Sequence, residues 1–247
     1  MELRIRLAKK IAESGVASRR EAERLIESGN VTVDGQTVKT PVFFVSDSSE
    51  ILINGKCIPQ NSQEIIIWKF HKPRGVITTK NDPQGRRTVF DFMKENQRLI
   101  YIGRLDYNSE GLLLFTNSGQ LARKMEHPNT GLKRVYRVRV FGNINTEKIQ
   151  ELKNGVVIEG IKYRAVDIKI DERRSSRANF WATVTLWEGK NREIRKIMEY
   201  VGCVVTRLIR ISYGPFHLNE LPSGNIQRVF PGEIKRLLAM ELLNESR

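Results

Sequence analysis

The first 60 residues show two short stripes of apolar side chains at helical spacing, followed by short strand-like runs. The first stripe predicts a helix at 4–13, and the second predicts a helix at 19–28. The strand-like runs at 31–33 and 51–53 are followed by Asp-Gly and Asn-Gly, pairs that favour a tight hairpin turn. Two helices followed by two hairpins predict a small α-β domain.

The segment between the two predicted helices carries a helix-start signal and a pair of arginines. Ser18 is a candidate N-cap, and Glu21, three residues later, completes a capping box. Arg19 and Arg20 therefore lie at a helix N-terminus, where free backbone N–H groups and the helix dipole favour an anion. The same two arginines could instead pair with glutamates further along the helix.

The rest of the chain carries longer apolar runs. A polar stretch at 54–64 separates them from the first part and is interpreted as a linker. Strands are predicted at 65–70, 99–102, 112–116, 133–140 and 207–215. A helix with one buried face is predicted from residue 194, because apolar residues there follow the i, i+3, i+4, i+7 pattern. We therefore predict an α+β chain with two domains, 1–62 and 63–247.

The loop between two of the apolar strands carries the first candidate for chemistry. Asp106 lies in the run Gly-Arg-Leu-Asp-Tyr, and Arg104 stands two residues before it. Catalytic residues are often found on loops that rigid strands hold, and partial desolvation makes a carboxylate more effective. The alternative is a turn aspartate that bonds to its own backbone.

The predicted strand at 133–140 has two different faces. Alternation places Arg134 and Tyr136 on the more apolar face, and Lys133 and Arg137 on the other, which suits phosphate. A buried tyrosine with a bonded hydroxyl is the alternative interpretation of Tyr136.

The start of the helix near residue 194 is strongly basic. Arg192 and Lys196 are four residues apart, a spacing at which like charges on a helix repel each other. Binding of an anionic ligand therefore explains this pair better than a structural role does. Lys190 precedes them and adds to the same charge. Arg195 could pair with Glu199 at i+4, which is its structural alternative.

Charge is the unusual feature of the composition. The 247 residues include 42 Lys and Arg against 28 Asp and Glu, a formal net charge of +14. Residues 1–60 have a net charge of +1, so nearly all of the excess lies in the longer second part. Such a charge suits a polyanionic partner. A nucleic acid fits better than a membrane, because no basic helix has a strong apolar face.

The sequence excludes several classes of protein. No apolar run approaches the roughly 20 residues of a membrane span, and no secretory signal is visible, so a cytoplasmic chain is expected. Cys57 and Cys203 cannot form a disulfide framework, and the three histidines are scattered, so no metal site is expected. The glycine-rich phosphate loop and the nucleophile elbow are also missing from the sequence.

Residues 6–38, RLAKKIAESGVASRREAERLIESGNVTVDGQTV, resemble the S-four RNA-binding domain, with helix, turn, helix and strand in the order of that family. The resemblance implies that Lys9, Lys10, Arg19 and Arg20 contact RNA phosphates.

The second part resembles the RNA pseudouridine synthases of the family that contains the ribosomal small-subunit synthase A and the large-subunit synthases B, E and F. The similarity is carried by GRLDYNSEGLLLFTNSG at 103–119, with HKPRGVITT before it and EGKNREIRKIM after it. It implies a synthase domain with a mixed, mainly antiparallel sheet and flanking helices. It also implies a reaction without a cofactor, in which the bond between ribose and the uracil ring nitrogen breaks and the ring reattaches through carbon five.

The same resemblance implies roles for four side chains. Asp106 matches the essential aspartate of the family, which either attacks as a nucleophile or promotes loss of a ribose proton. Arg104 would help displace or replace the flipped base. Tyr136 would stack on uracil and could take the proton from carbon five, and Arg195 would support Asp106 through a salt bridge. The family usually has lysine where Arg134 stands, which keeps the charge but changes the donor geometry.

Further basic side chains of the second domain are predicted to contact RNA: Lys72, Arg74, Lys133, Arg137, Lys190 and Arg192. The sequence thus predicts an isomerase of uridine in ribosomal RNA, acting as a monomer on the RNA or on an assembling ribosomal subunit. Both ribosomal subunits stay open as the source of the RNA, with the spacing and the chain ending favouring the large-subunit branch. The alternative is a non-catalytic RNA-binding or ribosome-assembly protein on a synthase-like scaffold.

Overall fold

The computed structural model divides the chain into two units, Met1–Ile65 with Asn117–Gly119, and Ile66–Thr116 with Gln120–Arg247. The structure describes residues 4–59, 64–93, 98–171 and 179–235. The domain boundary predicted between residues 62 and 63 lies outside the described residues.

The described residues of the first unit form two helices and six short strands. They are β1 (Ile5–Arg6), α1 (Leu7–Glu13), α2 (Arg19–Glu27), β2 (Val31–Val33), β3 (Gln36–Thr37), β4 (Phe44–Val45), β5 (Ile51–Ile53) and β6 (Lys56–Cys57). One antiparallel sheet has the order β3-β2-β5-β6, and β1 pairs with β4. Both predicted hairpins are present.

The capping box of the first unit is confirmed. The Glu21 N–H donates to Ser18 Oγ at 3.1 Å, and the Ser18 N–H donates back to Glu21 Oε2 at 3.3 Å. Helix α2 therefore begins at Arg19, where the sequence predicts it. The two side chains satisfy N–H groups that have no partner inside the helix.

Two of the predicted bounds in this unit are wrong. The first helix begins at Leu7 rather than at residue 4, because Ile5–Arg6 forms an antiparallel ladder with Phe44–Val45. The polar stretch at 54–64 is not a linker throughout. Lys56–Cys57 pairs with β5, and the side chain of Ile58 is buried in the core of the first unit. In both places pairing with a distant strand outweighs the local sequence pattern, which predicts a helix in the first case and a linker in the second.

The remaining elements follow from residue 66 onward. The strands are β7 (Ile67–Lys72), β8 (Ile100–Ile102), β9 (Glu110–Thr116), β10 (Arg134–Gly142), β11 (Val156–Ile158), β12 (Ile161–Tyr163), β13 (Asp167–Ile170), β14 (Asn179–Leu186), β15 (Cys203–Tyr213), β16 (Phe216–His217) and β17 (Ile226–Val229). The helices are α3 (Gly119–Glu126), α4 (Thr146–Leu152) and α5 (Glu193–Tyr200), with short 3-10 turns at Val89–Phe92 and Pro128–Thr130.

Nine of the described strands form one sheet in the second unit. Its order is β13-β14-β10-β15-β9-β7-β17, with β16 attached to β15 and β8 attached to β9. Strands β9 and β15 are parallel, whereas the other ladders of this sheet are antiparallel. The predicted mixed, mainly antiparallel sheet is confirmed.

Strand β9 lies at the centre of this sheet and is buried along its whole length. Leu113 and Phe115 face the core that contains α4 and α5, while Leu112 and Leu114 face the core that contains α3. Each of these side chains is fully buried, which contributes about 1.5–3 kcal/mol per side chain. The two cores fix the strand in position, so the end of the loop at 103–109 is attached to a rigid strand.

Gly111 marks the place where β9 and β15 approach most closely. Its φ is +105°, and a Cβ at this position would lie 2.3 Å from the carbonyl oxygen of Arg210. Only glycine fits both the conformation and the space.

None of the helices in the described part of the chain is both long and apolar enough to cross a membrane.

Candidate active site

A cavity of about 550 Å³ lies in the second unit, bounded by the loop before β9, by β10 and β15, and by the start of α5. All four predicted catalytic side chains line it: Arg104, Asp106, Tyr136 and Arg195. They come from positions up to 91 residues apart in the chain, so the fold brings them together. The volume falls in the range of small-molecule sites.

The loop that carries Asp106 is fixed through its backbone. Thr78 Oγ1 donates to the Leu105 carbonyl at 2.7 Å, and the Ser109 N–H donates to the Asp106 carbonyl at 3.0 Å. Glu126 Oε1 accepts from the Gly103 N–H at 2.7 Å. The Asp106 carboxylate itself makes no hydrogen bond to any described residue and is exposed. It therefore does not close its own turn, and it is available to a substrate.

Lys72 has a different place from the one predicted. Its side chain is 0 % exposed, and Nζ donates to the carbonyl oxygens of Pro73, Asp106 and Ser109 at 3.1, 3.1 and 2.8 Å. The prediction that Lys72 contacts RNA is wrong, because a buried ammonium with three backbone acceptors has no surface for a phosphate. Lys72 instead fixes both ends of the Asp106 turn.

Burial also changes the protonation of Lys72. Desolvation lowers the pKa of its ammonium to about 8, although the negative charges of Asp106 and Glu110 partly oppose the shift. The nearby guanidinium of Arg210 lowers this pKa further. At neutral pH the side chain is still charged, so a buried cation lies directly beneath Asp106.

Tyr136 lies on the inward face of β10, as predicted. Its ring is buried among core side chains and lines the cavity, and its hydroxyl has no hydrogen-bond partner among the described residues. The alternative of a core tyrosine with a bonded hydroxyl is therefore not what the structure contains. Arg134, two residues earlier, donates from Nη2 to the Tyr213 hydroxyl at 2.9 Å, and its guanidinium stacks on that ring at 4.6 Å.

Arg195 lies in the cavity, but it does not form the predicted salt bridge. Nη1 donates to the Val205 carbonyl at 3.1 Å, and no carboxylate of the described residues lies within 4 Å of the guanidinium, neither Asp106 nor Glu199. The pKa of Arg195 is lowered, first by burial and then by the positive charges of Arg192 and Arg74, while Asp106 acts in the opposite direction. Arg195 and Asp106 thus influence each other through space.

Arg210 is a cavity residue that the sequence analysis does not identify, although it predicts the strand that carries Arg210. It is 1 % exposed, Nε donates to the Leu112 carbonyl at 2.7 Å, and its guanidinium lies 5.0 Å from the centre of the Tyr213 ring. Burial raises the pKa of Tyr213, against the effect of the two neighbouring arginines. A charged residue inside an apolar alternating strand was the available signal.

The turn before α5 brings two carboxyl groups to the cavity beside its basic residues. Lys190 Nζ donates to Glu188 at 2.7 Å and to the Lys162 carbonyl at 2.5 Å, so this predicted RNA contact is ion-paired. Arg192 is exposed in a left-handed conformation with φ of 51°. The Lys190 N–H donates to Glu193 Oε2 at 2.7 Å, which closes the turn.

The other predicted RNA contacts fall into two groups. Arg74, Lys133, Arg19 and Arg20 are exposed and have no ion pair within the described ranges. Three side chains are engaged with acids: Lys9 with Glu13, Lys10 with Asp47, and Arg137 with Asp171. The Arg137 guanidinium binds Asp171 with two hydrogen bonds of 2.8 and 2.6 Å, which leaves less of its charge for phosphate than the sequence predicts.

Comparison with known proteins gives consistent matches. Residues 66–200 match the family described as RNA pseudouridylate synthase, and residues 5–51 match the S4 domain. The chain is 47% identical over 235 residues to an uncharacterised RNA pseudouridine synthase of Rickettsia prowazekii, covering 95% of this chain and 98% of the relative. It is 41% identical to the ribosomal large subunit pseudouridine synthase B of Yersinia pestis, covering 89% of this chain and 70% of the relative.

The fold also has a solved counterpart. A crystal structure of a pseudouridylate synthase covers 94% of this chain and 99% of its own, with a TM-score of 0.66 at 24% identity. The two proteins share the fold.

Proposed function

This chain belongs to the RNA pseudouridine synthase family, whose members are isomerases, and we propose that its substrate is a uridine of ribosomal RNA. The observation that carries the proposal is the convergence of Asp106, Tyr136 and Arg195 on one cavity. Two further findings support ribosomal RNA as the source: the similarity to the Yersinia pestis synthase B and the net charge of +14. A basic surface of this size favours a polyanion.

In the proposed reaction a uridine turns out of the RNA stack into the cavity, because the reacting atoms are out of reach in a stacked helix. Asp106 acts at the ribose, either as the nucleophile or as the group that promotes loss of a ribose proton. The bond between ribose and the ring nitrogen breaks, the ring turns, and carbon five bonds to the ribose. Carbon five then loses its proton and the ring nitrogen released from the ribose gains one, so the reaction balances as an isomerisation, and no cofactor takes part.

The other cavity residues have supporting roles in this proposal. Tyr136 stacks on the uracil ring, and its hydroxyl, which has no described partner, can receive the proton from carbon five. Arg104 is exposed beside Asp106 and takes the place of the displaced base. Arg195 supplies a positive charge in the same cavity, on which the charge of Asp106 acts through space.

The proposed RNA contacts extend over both domains, 1–62 and 63–247. Arg19 and Arg20 at the start of α2, together with Lys9 and Lys10, bind phosphates in the first domain. In the second domain the contacts are those of the basic side chains that reach the surface: Arg74, Lys133, Arg137, Lys190 and Arg192. We propose that the protein acts as a monomer in the cytoplasm, where ribosomal RNA is assembled into subunits.

The test uses ribosomal RNA transcripts tritiated at carbon five of uridine. The wild type should release tritium, and Asp106→Asn should release it about 10³-fold more slowly, because general acid–base or nucleophilic action by the carboxylate is lost. Asp167→Asn is the matched control, since Asp167 is a partly exposed carboxylate of β13, outside the cavity lining.

Two results would contradict the proposal. Equal tritium release by wild type and Asp106→Asn would remove Asp106 from the chemistry. Tight binding of ribosomal RNA by the wild type without tritium release, and without pseudouridine in mass spectra of the digested RNA, would favour a non-catalytic RNA-binding protein.

A further inference from the structure

Two carboxyl side chains lie together in the turn before α5, where the proposed chemistry uses only cations. Glu188 and Glu193 are 6 % and 3 % exposed, and both line the cavity. Burying two like charges side by side is costly unless donors or a proton compensate them. The distribution of donors between the two groups is therefore informative.

Glu188 has a full set of donors. Lys190 Nζ donates to its two oxygens at 2.8 and 2.7 Å, and the Arg164 N–H donates to Oε1 at 2.9 Å. Burial opposes its ionisation, but these bonds outweigh that effect and hold the pKa of Glu188 below its ordinary value. Glu188 is the ionised member of the pair.

Glu193 has one donor and one oxygen without a donor. Oε2 accepts the Lys190 N–H at 2.7 Å, whereas Oε1 is enclosed and accepts from no group in the described part of the chain. Glu188 is the neighbouring negative charge that acts on the Glu193 carboxyl, and Lys190 bonds to both groups. An ionised Oε1 would be a buried acceptor without a donor beside a second carboxylate, whereas a protonated Oε1 can donate to Glu188.

The charged and polar groups around Glu193 do not stabilise its ionised form. Glu188 and Lys190 are the charged groups that act on it, and Lys190 is already paired with Glu188. From β12, the Tyr163 hydroxyl is buried and has no hydrogen-bond partner among the residues that the structure describes, and its ring lies 5.4 Å from the Lys190 ammonium. From β10, the Arg134 guanidinium lies against Gly189. Burial, and then the charge of Glu188, raise the pKa of Glu193 to about 7.

We propose that Glu193 is a positioning residue that acts in its protonated form, donating a proton to Glu188 while Oε2 holds the Lys190 N–H. This double contact ties together the turn that presents Lys190 and Arg192 and the first turn of α5, which carries Arg195. Loss of the proton sets two buried carboxylates against each other, and the turn opens. The inference rests on the proposed function, because it assigns this turn to substrate and to the neighbourhood of Asp106.

The test compares the pH dependence of kcat/KM in Glu193→Gln and wild type between pH 5.5 and 8. Glutamine keeps an acceptor for the Lys190 N–H and a permanent donor for Glu188, so it imitates the protonated acid. The wild type should lose about 20-fold from pH 6 to pH 8, about tenfold from a group of pKa about 7 and a further twofold from Lys72. Glu193→Gln should lose about twofold over the same range, as Lys72 begins to lose its proton.

Glu199→Gln is the matched control, because it removes an exposed carboxylate from the same helix. It should follow the wild-type profile. The affinity for RNA, measured at each pH, separates a change at the turn from a general loss of binding. Identical alkaline limbs in wild type and Glu193→Gln would overturn the proposal.

A second measurement needs no turnover and keeps the inference separate from the proposed function. In wild-type protein labelled with carbon-13 at the glutamate carboxyls, one resonance should titrate near pH 7 and be absent from Glu193→Gln. If every glutamate titrates below about pH 5, Glu193 is ionised and the inference is wrong. If the resonance titrates as expected but no pseudouridine forms at any pH, the proposed function fails instead.

Discussion

Two of the loops that line the cavity differ in the groups that they present and in the side chains that hold them. The loop at 103–109 presents the carboxylate of Asp106, and the buried ammonium of Lys72 holds its backbone. The turn at 188–193 presents guanidinium and ammonium groups, and the carboxyl groups of Glu188 and Glu193 hold it. In each loop the supporting side chains are buried: an ammonium group holds the loop that presents a carboxylate, and carboxyl groups hold the turn that presents cations.

Burial of the supporting side chains limits the pH range over which each loop keeps its contacts. Desolvation acts against the charged form of either support, so it lowers the pKa of Lys72 to about 8 and raises that of Glu193 to about 7. Lys72 needs its proton to donate to the loop, and Glu193 needs its proton to contact Glu188. Both supports are therefore complete on the acid side of about pH 7, and both weaken as the pH rises.

The largest effect is expected from removing the buried support of the first loop, the ammonium of Lys72. Lys72→Met keeps the length of the side chain but leaves the carbonyls of Pro73, Asp106 and Ser109 without their donor. A displacement of about 1 Å at Asp106 would cost on the order of 100-fold in kcat. Single-turnover kinetics with enzyme in excess over RNA would measure this, and Lys80→Met, at an exposed position, is the control. A kcat within twofold of wild type would show that the loop holds its shape without the ammonium.

A smaller effect is expected on the free energy of unfolding, which Glu193 of the second loop should lower as the pH rises. The folded state raises the pKa of Glu193, so between about pH 4.5 and pH 7 it binds a proton that the unfolded chain has released. The free energy of unfolding of the wild type should therefore fall by about 2 kcal/mol across this window, relative to Glu193→Gln. Urea denaturation at pH 5 and pH 7 measures the difference. Parallel loss of stability in both proteins would contradict a raised pKa.

The smallest effect is expected for cations that have no buried support at all. Arg19 and Arg20 are exposed at the start of α2, and replacing both with alanine should lower the salt slope of RNA binding by about 2. Titrations of RNA affinity at several salt concentrations measure this slope. Arg24→Ala, on the same helix but away from its N-terminus, should change the slope by less than half as much. An unchanged slope in the double variant would exclude this patch from phosphate binding.

Features set by neighbouring residues were predictable from the sequence. The capping box of Ser18 and Glu21 needs only a three-residue spacing, and the hairpin turns need only their Asp-Gly and Asn-Gly pairs. The inward face of β10, with Tyr136, follows from alternation alone. The position of Asp106 between two apolar strands was visible for the same reason.

Features set by distant partners were not predictable in this way. Lys72 stands in a basic, turn-forming segment, and its burial depends on pairing opposite Gly111 of β9, where there is no side chain. Arg137 of β10 binds Asp171, which follows β13, across the intervening strand β14 and 34 residues later in the chain. Glu193 resembles an ordinary acidic residue in the first turn of a helix, and only the fold brings Glu188 against it.

The parallel pairing of β9 and β15 has a consequence for the order in which the chain folds. The paired residues are about 100 positions apart, and such pairs form slowly because a long loop must close before they are stabilised. Asp106 lies just before one of these strands and Arg210 within the other, so the cavity is complete only after this ladder forms. During synthesis the first unit emerges earlier. A chain cut short before β15 would therefore carry the arginines of α2 and be unable to modify the RNA that they bind.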